Sequence, residues 1–126
     1  MKVLQMVSRA YRATIEEQDD TILWLTQAMN GAGGDLDVLL TGNAVNYAVA
    51  GQDASGLVFG EWKQTEPPRI DDDVARMIAK GIAVFAVADD LADRGLADSG
   101  LVKGVHRVPR NEVARLISTY DRVWRW

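Results

Sequence analysis

Apolar residues fall along this chain in two kinds of block. Short, mostly apolar runs at 3–7 and 36–40 read as strands, and the unbroken run at 82–88, with three Val or Ile among seven apolar residues, reads as a strand covered on both faces. Between them lie stretches with helical spacing. From Gln18 onward, Ile22, Leu23, Leu25, Ala28 and Met29 share one face, Trp24 joins that core-facing helix, and Asp19 or Asp20 stands as its N-cap. The glycine-rich 30–34 ends it. Residues 71–80 open on Asp71, Asp72 and Asp73 and close on Lys80, as a helix dipole favours, with Val74, Met77 and Ile78 inward. Further helices are predicted at 90–94 and 111–120, and a fourth strand at 104–107. Residues 44–50 suit the first turns of a helix starting near Asn43, with a strand as competitor. The segment 51–68 is irregular or holds a short extended piece, its Pro67-Pro68 disfavouring helix, and 121–126 is a tail. Strands alternating with helices predict one domain, 1–126, an α/β three-layer sandwich with a mostly parallel central sheet.

The stretch 81–95, GIAVFAVADDLADRG, organises this pattern, because its strand turns directly into a helix at Asp89 and Asp90. Such a junction lies on the carboxyl edge of a parallel sheet, where open α/β proteins bind their ligands. Four strand ends converge there: Ser8-Arg9, Gly42-Asn43, Ala88-Asp89 and His106-Arg107. Asp89 and Asp90 suit N-caps on one reading and ligand or partner contacts on the other. Arg94 suits either a charge at a helix C-terminus or an anion clamp or interface ion pair. Asn43 and Asn46 flank either an anion-binding helix start or an ordinary turn. Arg9 belongs to a basic-aromatic cluster with Tyr11 and Arg12. His106 is the single histidine and falls into no catalytic spacing. Trp62, in a proline-flanked loop, and the terminal Trp124 and Trp126, two residues apart, are of the kind enriched at subunit interfaces.

Composition narrows the chemistry. A net charge of −4 and a pI near 4.9 argue against nucleic acid as partner. No apolar run approaches the ~20 residues of a membrane span, and the short apolar start reads as a strand rather than a secretory signal, so the expected location is cytoplasmic. The chain has no cysteine, which removes disulfides, thiolate metal sites and thiol catalysis. No spacing of His, Asp or Glu suggests a metal site, and no glycine-rich phosphate loop of standard form is present. No cofactor and no catalytic residue is assigned.

Taken together, these pieces resemble the DsrE/DsrF/DsrH family, which includes the TusB, TusC and TusD sulfur-relay proteins. An N-terminal strand precedes a long helix. DLDVLLTGNAVNYAVAG resembles the family's strand, its Gly-[Asp/Asn]-[Gly/Ala]-Val turn and its small-residue helix. GIAVFAVADDLADRGL resembles its Gly-strand-helix-Arg-Gly segment, and GLVKGVHRVPRNEVARLISTYDRVWRW its closing strand, helix and terminal Trp. The resemblance implies the fold, assembly as homo- or hetero-oligomers (trimers or hexamers) with DsrE-family subunits, and a sulfur-carrier protein as partner. Sulfur-carrying members place a cysteine where this chain has Val87, so the resemblance is nearest to the thiol-free DsrH/TusB type. It implies a non-catalytic or atypical subunit in intracellular sulfur trafficking or sulfur oxidation, binding a carrier or a small sulfur-containing or anionic ligand at the strand ends. The alternative is a small-molecule or nucleotide-binding α/β module unrelated to sulfur.

Overall fold

The computed structural model of the chain describes residues 1–12, 14 and 19–126. Five parallel strands form the central sheet in the order β6-β5-β2-β1-β7: β1 Lys2–Val7, β2 Asp35–Leu40, β5 Val84–Val87, β6 His106–Val108 and β7 Arg122–Arg125. A separate antiparallel hairpin, β3 Val58–Phe59 and β4 Trp62–Lys63, projects from the irregular segment. The helices are α1 Thr21–Gly31, α2 Ile70–Ala79, α3 Ala88–Asp93 and α4 Val113–Ser118, with 3-10 turns at Gly42–Ala48 and Arg110–Glu112.

Two cores flank the sheet. On one face Val7, Val38, Leu40, Val84 and Ala86 meet Ile22 and Leu23 of α1, Val74 and Met77 of α2 and Leu91 of α3. The other face is smaller: Leu4, Leu39 and Val87 lie under Val113, Leu116 and Ile117 of α4 and Tyr120. Right-handed crossovers explain this asymmetry. The steps from β1 to β2, β5 and β6 all move the same way across the sheet, so their helices share one face. The return from β6 to β7 spans the sheet in the opposite direction and must pass over the other face, where α4 lies alone. The result is a three-layer α/β sandwich with one thick and one thin helical layer.

Several elements differ from the sequence reading for physical reasons. The α1 cap is Asp20, whose Oδ1 accepts the Ile22 and Leu23 N–H groups at 2.9 and 3.1 Å. Trp24 is 56% exposed rather than core, and Thr26 takes the inward place, its hydroxyl donating back to the Ile22 carbonyl at 2.8 Å. The stretch after Gly42 winds as a 3-10 helix with Ala44, Val45, Tyr47 and Ala48 buried. The mixed segment 10–17 falls in part outside the described residues. The expected tail is strand β7, paired in parallel with β1 through Leu4–Val123 and Gln5–Trp124. Its ends are clamped: Asp121 N–H donates to the Lys2 carbonyl and Ser8 N–H to the Trp126 carbonyl, both at 2.9 Å.

Candidate functional site

The carboxyl edge of the sheet carries a closed network of charges. Asp90, in the first turn of α3, accepts the Gly42 N–H at 2.8 Å and the Arg110 guanidinium at 2.8 Å. Asp89 accepts the Arg110 backbone N–H at 2.8 Å, and Asp93 takes a second contact from the same guanidinium at 3.2 Å. Arg94, at the C-cap of α3, donates Nε to the Asn43 side chain at 3.0 Å and Nη1 to the Asp90 carbonyl at 3.1 Å. The ends of β2, β5 and β6 are thereby tied together. Partial burial pushes the Asp90 carboxyl up, but the Gly42 N–H, the Arg110 hydrogen bond and charge, and the Arg94 charge outweigh it and hold it below the usual carboxylate range.

This network revises the roles of the expected site residues. Asp89 and Asp90 are not caps: Val87 occupies the N-cap position, and both carboxylates reach across to other strand ends. Arg94 is occupied by its own helix and Asn43. Asn46 turns inward on its own segment, its amide donating to the Asn43 carbonyl at 2.8 Å. Arg9 is exposed beside Ser8 at the end of β1. Val87, where the thiol of sulfur carriers is expected, is 2% exposed. Arg110 belongs to the site although the sequence reading passed over it. With a strand expected at 104–107, His106-Arg107 was the predicted edge. The strand runs to Val108 instead, which puts Pro109-Arg110 there. Arg107 donates to the Ser99 carbonyl at 3.0 Å, and His106 is exposed with its ring 5.4 Å from that of Phe85.

A second polar chain lies beside this edge. Asp20 Oδ2 accepts the Tyr47 hydroxyl at 2.7 Å, and the Tyr47 oxygen in turn accepts the Tyr11 backbone N–H. The Tyr47 ring is fully buried, and burial, the hydrogen bond to Asp20 and the charge of Asp20 push its phenol well up from the ordinary value. Tyr11 has φ of +58°, the sole non-glycine residue in that region among the described residues. Such a conformation costs of order 1–3 kcal/mol and persists where surrounding contacts dictate it. Here those contacts are the Tyr47 hydroxyl and an edge-on ring contact at 5.2 Å.

The fold is shared with solved structures. The ychN protein from E. coli superposes with a TM-score of 0.71 at 20% identity, covering 100% of both chains. MTH1491 from Methanobacterium thermoautotrophicum, described as a protein of unknown function, gives 0.67 at 12% identity over 99% of this chain and 98% of that one. BT1422 from Bacteroides thetaiotaomicron, described in the same way, gives 0.63 at 12% identity over 99% and 95%. No family model matches the chain, and no curated protein matches it by sequence. The likeness therefore establishes a shared α/β architecture over the whole length.

The three tryptophans expected at interfaces occupy different surfaces. Trp62 is 46% exposed on the β3–β4 hairpin, 5.8 Å from the ring of Phe59, with Val58 and Leu57 also exposed. Trp124 lines an open groove with Leu25, Val123 and Trp126 beside the β7 edge. Trp126 donates its indole N–H to the buried Gln5 side chain at 2.7 Å, so it anchors β7 as well as facing the groove. Among the described residues no helix is long and apolar enough to cross a membrane. Among them, too, no three His, Asp or Glu side chains gather as a metal site would require.

Proposed function

We propose that this chain is a cysteine-less DsrE-like subunit of a sulfur-trafficking system, one that docks a sulfur-bearing partner protein at its strand ends without accepting the sulfur. The observation that carries the reading is the state of the β5–α3 junction. The edge that would present a nucleophile has buried Val87 there instead, and the chain contains no cysteine. Above it the Asp90–Gly42–Arg110 tie makes the edge rigid and internally neutralised. A rigid, charge-satisfied surface favours a protein partner over a small free anion, since Asp89 and Asp90 are already engaged by Arg110 and Gly42, and Arg94 by Asn43. In this reading Arg9 supplies the cation on the exposed rim, and Asn46 holds the Asn43 turn. The exposed Trp62 hairpin and the Trp124–Trp126 groove serve contacts between DsrE-family subunits in a trimer or hexamer, in the cytoplasm.

Sedimentation of the protein with persulfide-loaded carrier proteins tests this. A complex with roughly micromolar affinity is expected. Absence of any complex at ten times that concentration with every carrier tried would sink the proposal.

A further inference from the structure

We propose that the cavity between the β1–α1 connection, the loop after Ala48 and the start of α2 binds a small organic cation with an apolar body. This site is separate from the strand-end network and does not depend on the sulfur-trafficking reading. The cavity has a volume of about 320 Å³, in the size range of small-ligand pockets. It lies where loops leave the carboxyl ends of β1 and β2, a position that open α/β sheets use for ligands.

Among the described residues its apolar lining comes largely from Tyr11, Leu57, Pro67, Pro68 and Ile70, and its neutral polar lining from Thr14, Gln52, Ser55 and Gln64. Its charged lining is entirely acidic, from Asp53 and Asp71. No lysine, arginine or histidine lines it among the described residues, and residues 13 and 15–18, outside the description, include none. An anionic ligand such as a nucleotide would meet carboxylates with no cation to offset them, whereas an ammonium group would gain from both acids. Asp53 Oδ1 accepts the Ser55 N–H at 2.9 Å, and this bond, with a further contribution from the Ser55 side chain, holds the exposed carboxyl below its ordinary value. Asp71 is fixed by the Gly51 and Asp72 N–H groups, each at 3.0 Å.

The wall opposite is held in advance. Tyr11, in its left-handed conformation, is locked by Tyr47, and its hydroxyl donates to Gln52 Oε1 at 3.0 Å. Gln52 is pinned in turn to the Asn46 and Val49 carbonyls at 2.6 and 2.9 Å. Tyr11, 46% exposed, lines the same cavity as the two carboxylates and brings to it an aromatic ring, a group that attracts cations. The backbone strain at Tyr11 thus sits where it presents this ring, as strained residues at binding sites do.

Three isosteric probes separate charge from shape: benzylamine, benzyl alcohol and benzoate, each titrated while the backbone amide spectrum is recorded. Benzylamine is expected to shift the amides of residues 52–57 and 70–71, binding about tenfold tighter than benzyl alcohol and more tightly still than benzoate. Tyr11→Gly relieves the positive φ while removing the ring, and Asp53→Asn removes one charge; each is expected to weaken benzylamine several-fold with the rest of the spectrum unchanged. Equal or tighter binding of benzoate, shifts confined to other surfaces, no response at about 10 mM amine, or an unweakened Tyr11→Gly variant overturns the proposal.

Discussion

Among the described residues, two buried side chains carry polar atoms without a hydrogen-bond partner, and both make the chain sensitive to small changes. Gln5 is fully buried with its amide nitrogen unpaired, and its oxygen depends on the Trp126 indole. Trp126→Phe should therefore cost about 1–3 kcal/mol in denaturant unfolding, because it orphans the remaining half of a buried amide. Adding Gln5→Met should recover most of that loss. If the double variant is as unstable as Trp126→Phe, packing and not the lost hydrogen bond sets the cost. Asp73 is 2% exposed, with one carboxyl oxygen unpaired and the other held by Arg76. Burial, then the charge and hydrogen-bonding demand of Asp19, push its carboxyl up to about 7, against the opposing pull of Arg76.

The sign of the resulting pH dependence follows. Native Asp73 keeps its proton at pH values where the unfolded chain has lost it. Its contribution is therefore fully present below the unfolded value near 4 and fades as pH rises through about 7. Stability should fall by on the order of 2 kcal/mol from this group between pH 5 and 8. Asp73→Asn should flatten that slope; an unchanged slope would place the titrating group elsewhere.

At the level of the elements, the strand-end tie is asymmetric. Asp90→Ala removes the acceptor of the Gly42 N–H as well as the Arg110 pair, and should cost about 1–2 kcal/mol. Arg110→Ala removes only the ion pairs of a largely exposed side chain with Asp90 and Asp93, and should cost about 0–1 kcal/mol. Because the Asp90 carboxyl is held low, its stabilisation is present above the unfolded value near 4 and is lost on acidification below it. Denaturant midpoints of the two variants at pH 7 decide the ranking, and a larger loss for Arg110→Ala would contradict it. Gly104 offers another check in the turn before β6. Its φ is +99°, and an added Cβ would lie 2.9 Å from Ile78 Cγ2. Gly104→Ala should destabilise by about 1–3 kcal/mol, whereas a neutral result would mean that the turn relaxes freely.

What could be read in the sequence follows from how each element is stabilised. The strands 3–7 and 36–40 and the stretch at 82–88 were legible because both faces of a parallel sheet demand mostly apolar runs, interrupted here only by Gln5 and Asp37. The β7 segment, Arg-Val-Trp-Arg, has only two apolar residues between charged ones, and so resembled a solvated tail. The hairpin has only two residues in each strand, too few to show a period. The strand-end network depends on contacts such as Gly42–Asp90 and Asp90–Arg110, 48 and 20 positions apart, which no local pattern encodes. Ending one short strand at Val108 instead of Arg107 was enough to hide Arg110.

For the molecule as a whole, the fold presents a carboxyl edge whose position follows from the sheet order. A parallel sheet of this order, shared over the full chain with ychN, MTH1491 and BT1422, brings Gly42-Asn43, Asp89-Asp90 and Arg110 together whatever the function. The proposed role needs that edge to recognise a partner while leaving the partner's sulfur untouched. The most direct measurement is calorimetric titration of a persulfide-loaded carrier into the wild-type chain and into Arg9→Glu, with the sulfane sulfur on the carrier assayed before and after. The expected result is roughly micromolar binding, weakened about tenfold by reversing the Arg9 charge, with all sulfur recovered on the carrier. Absence of binding, or loss of sulfur from the carrier on mixing, would contradict the account.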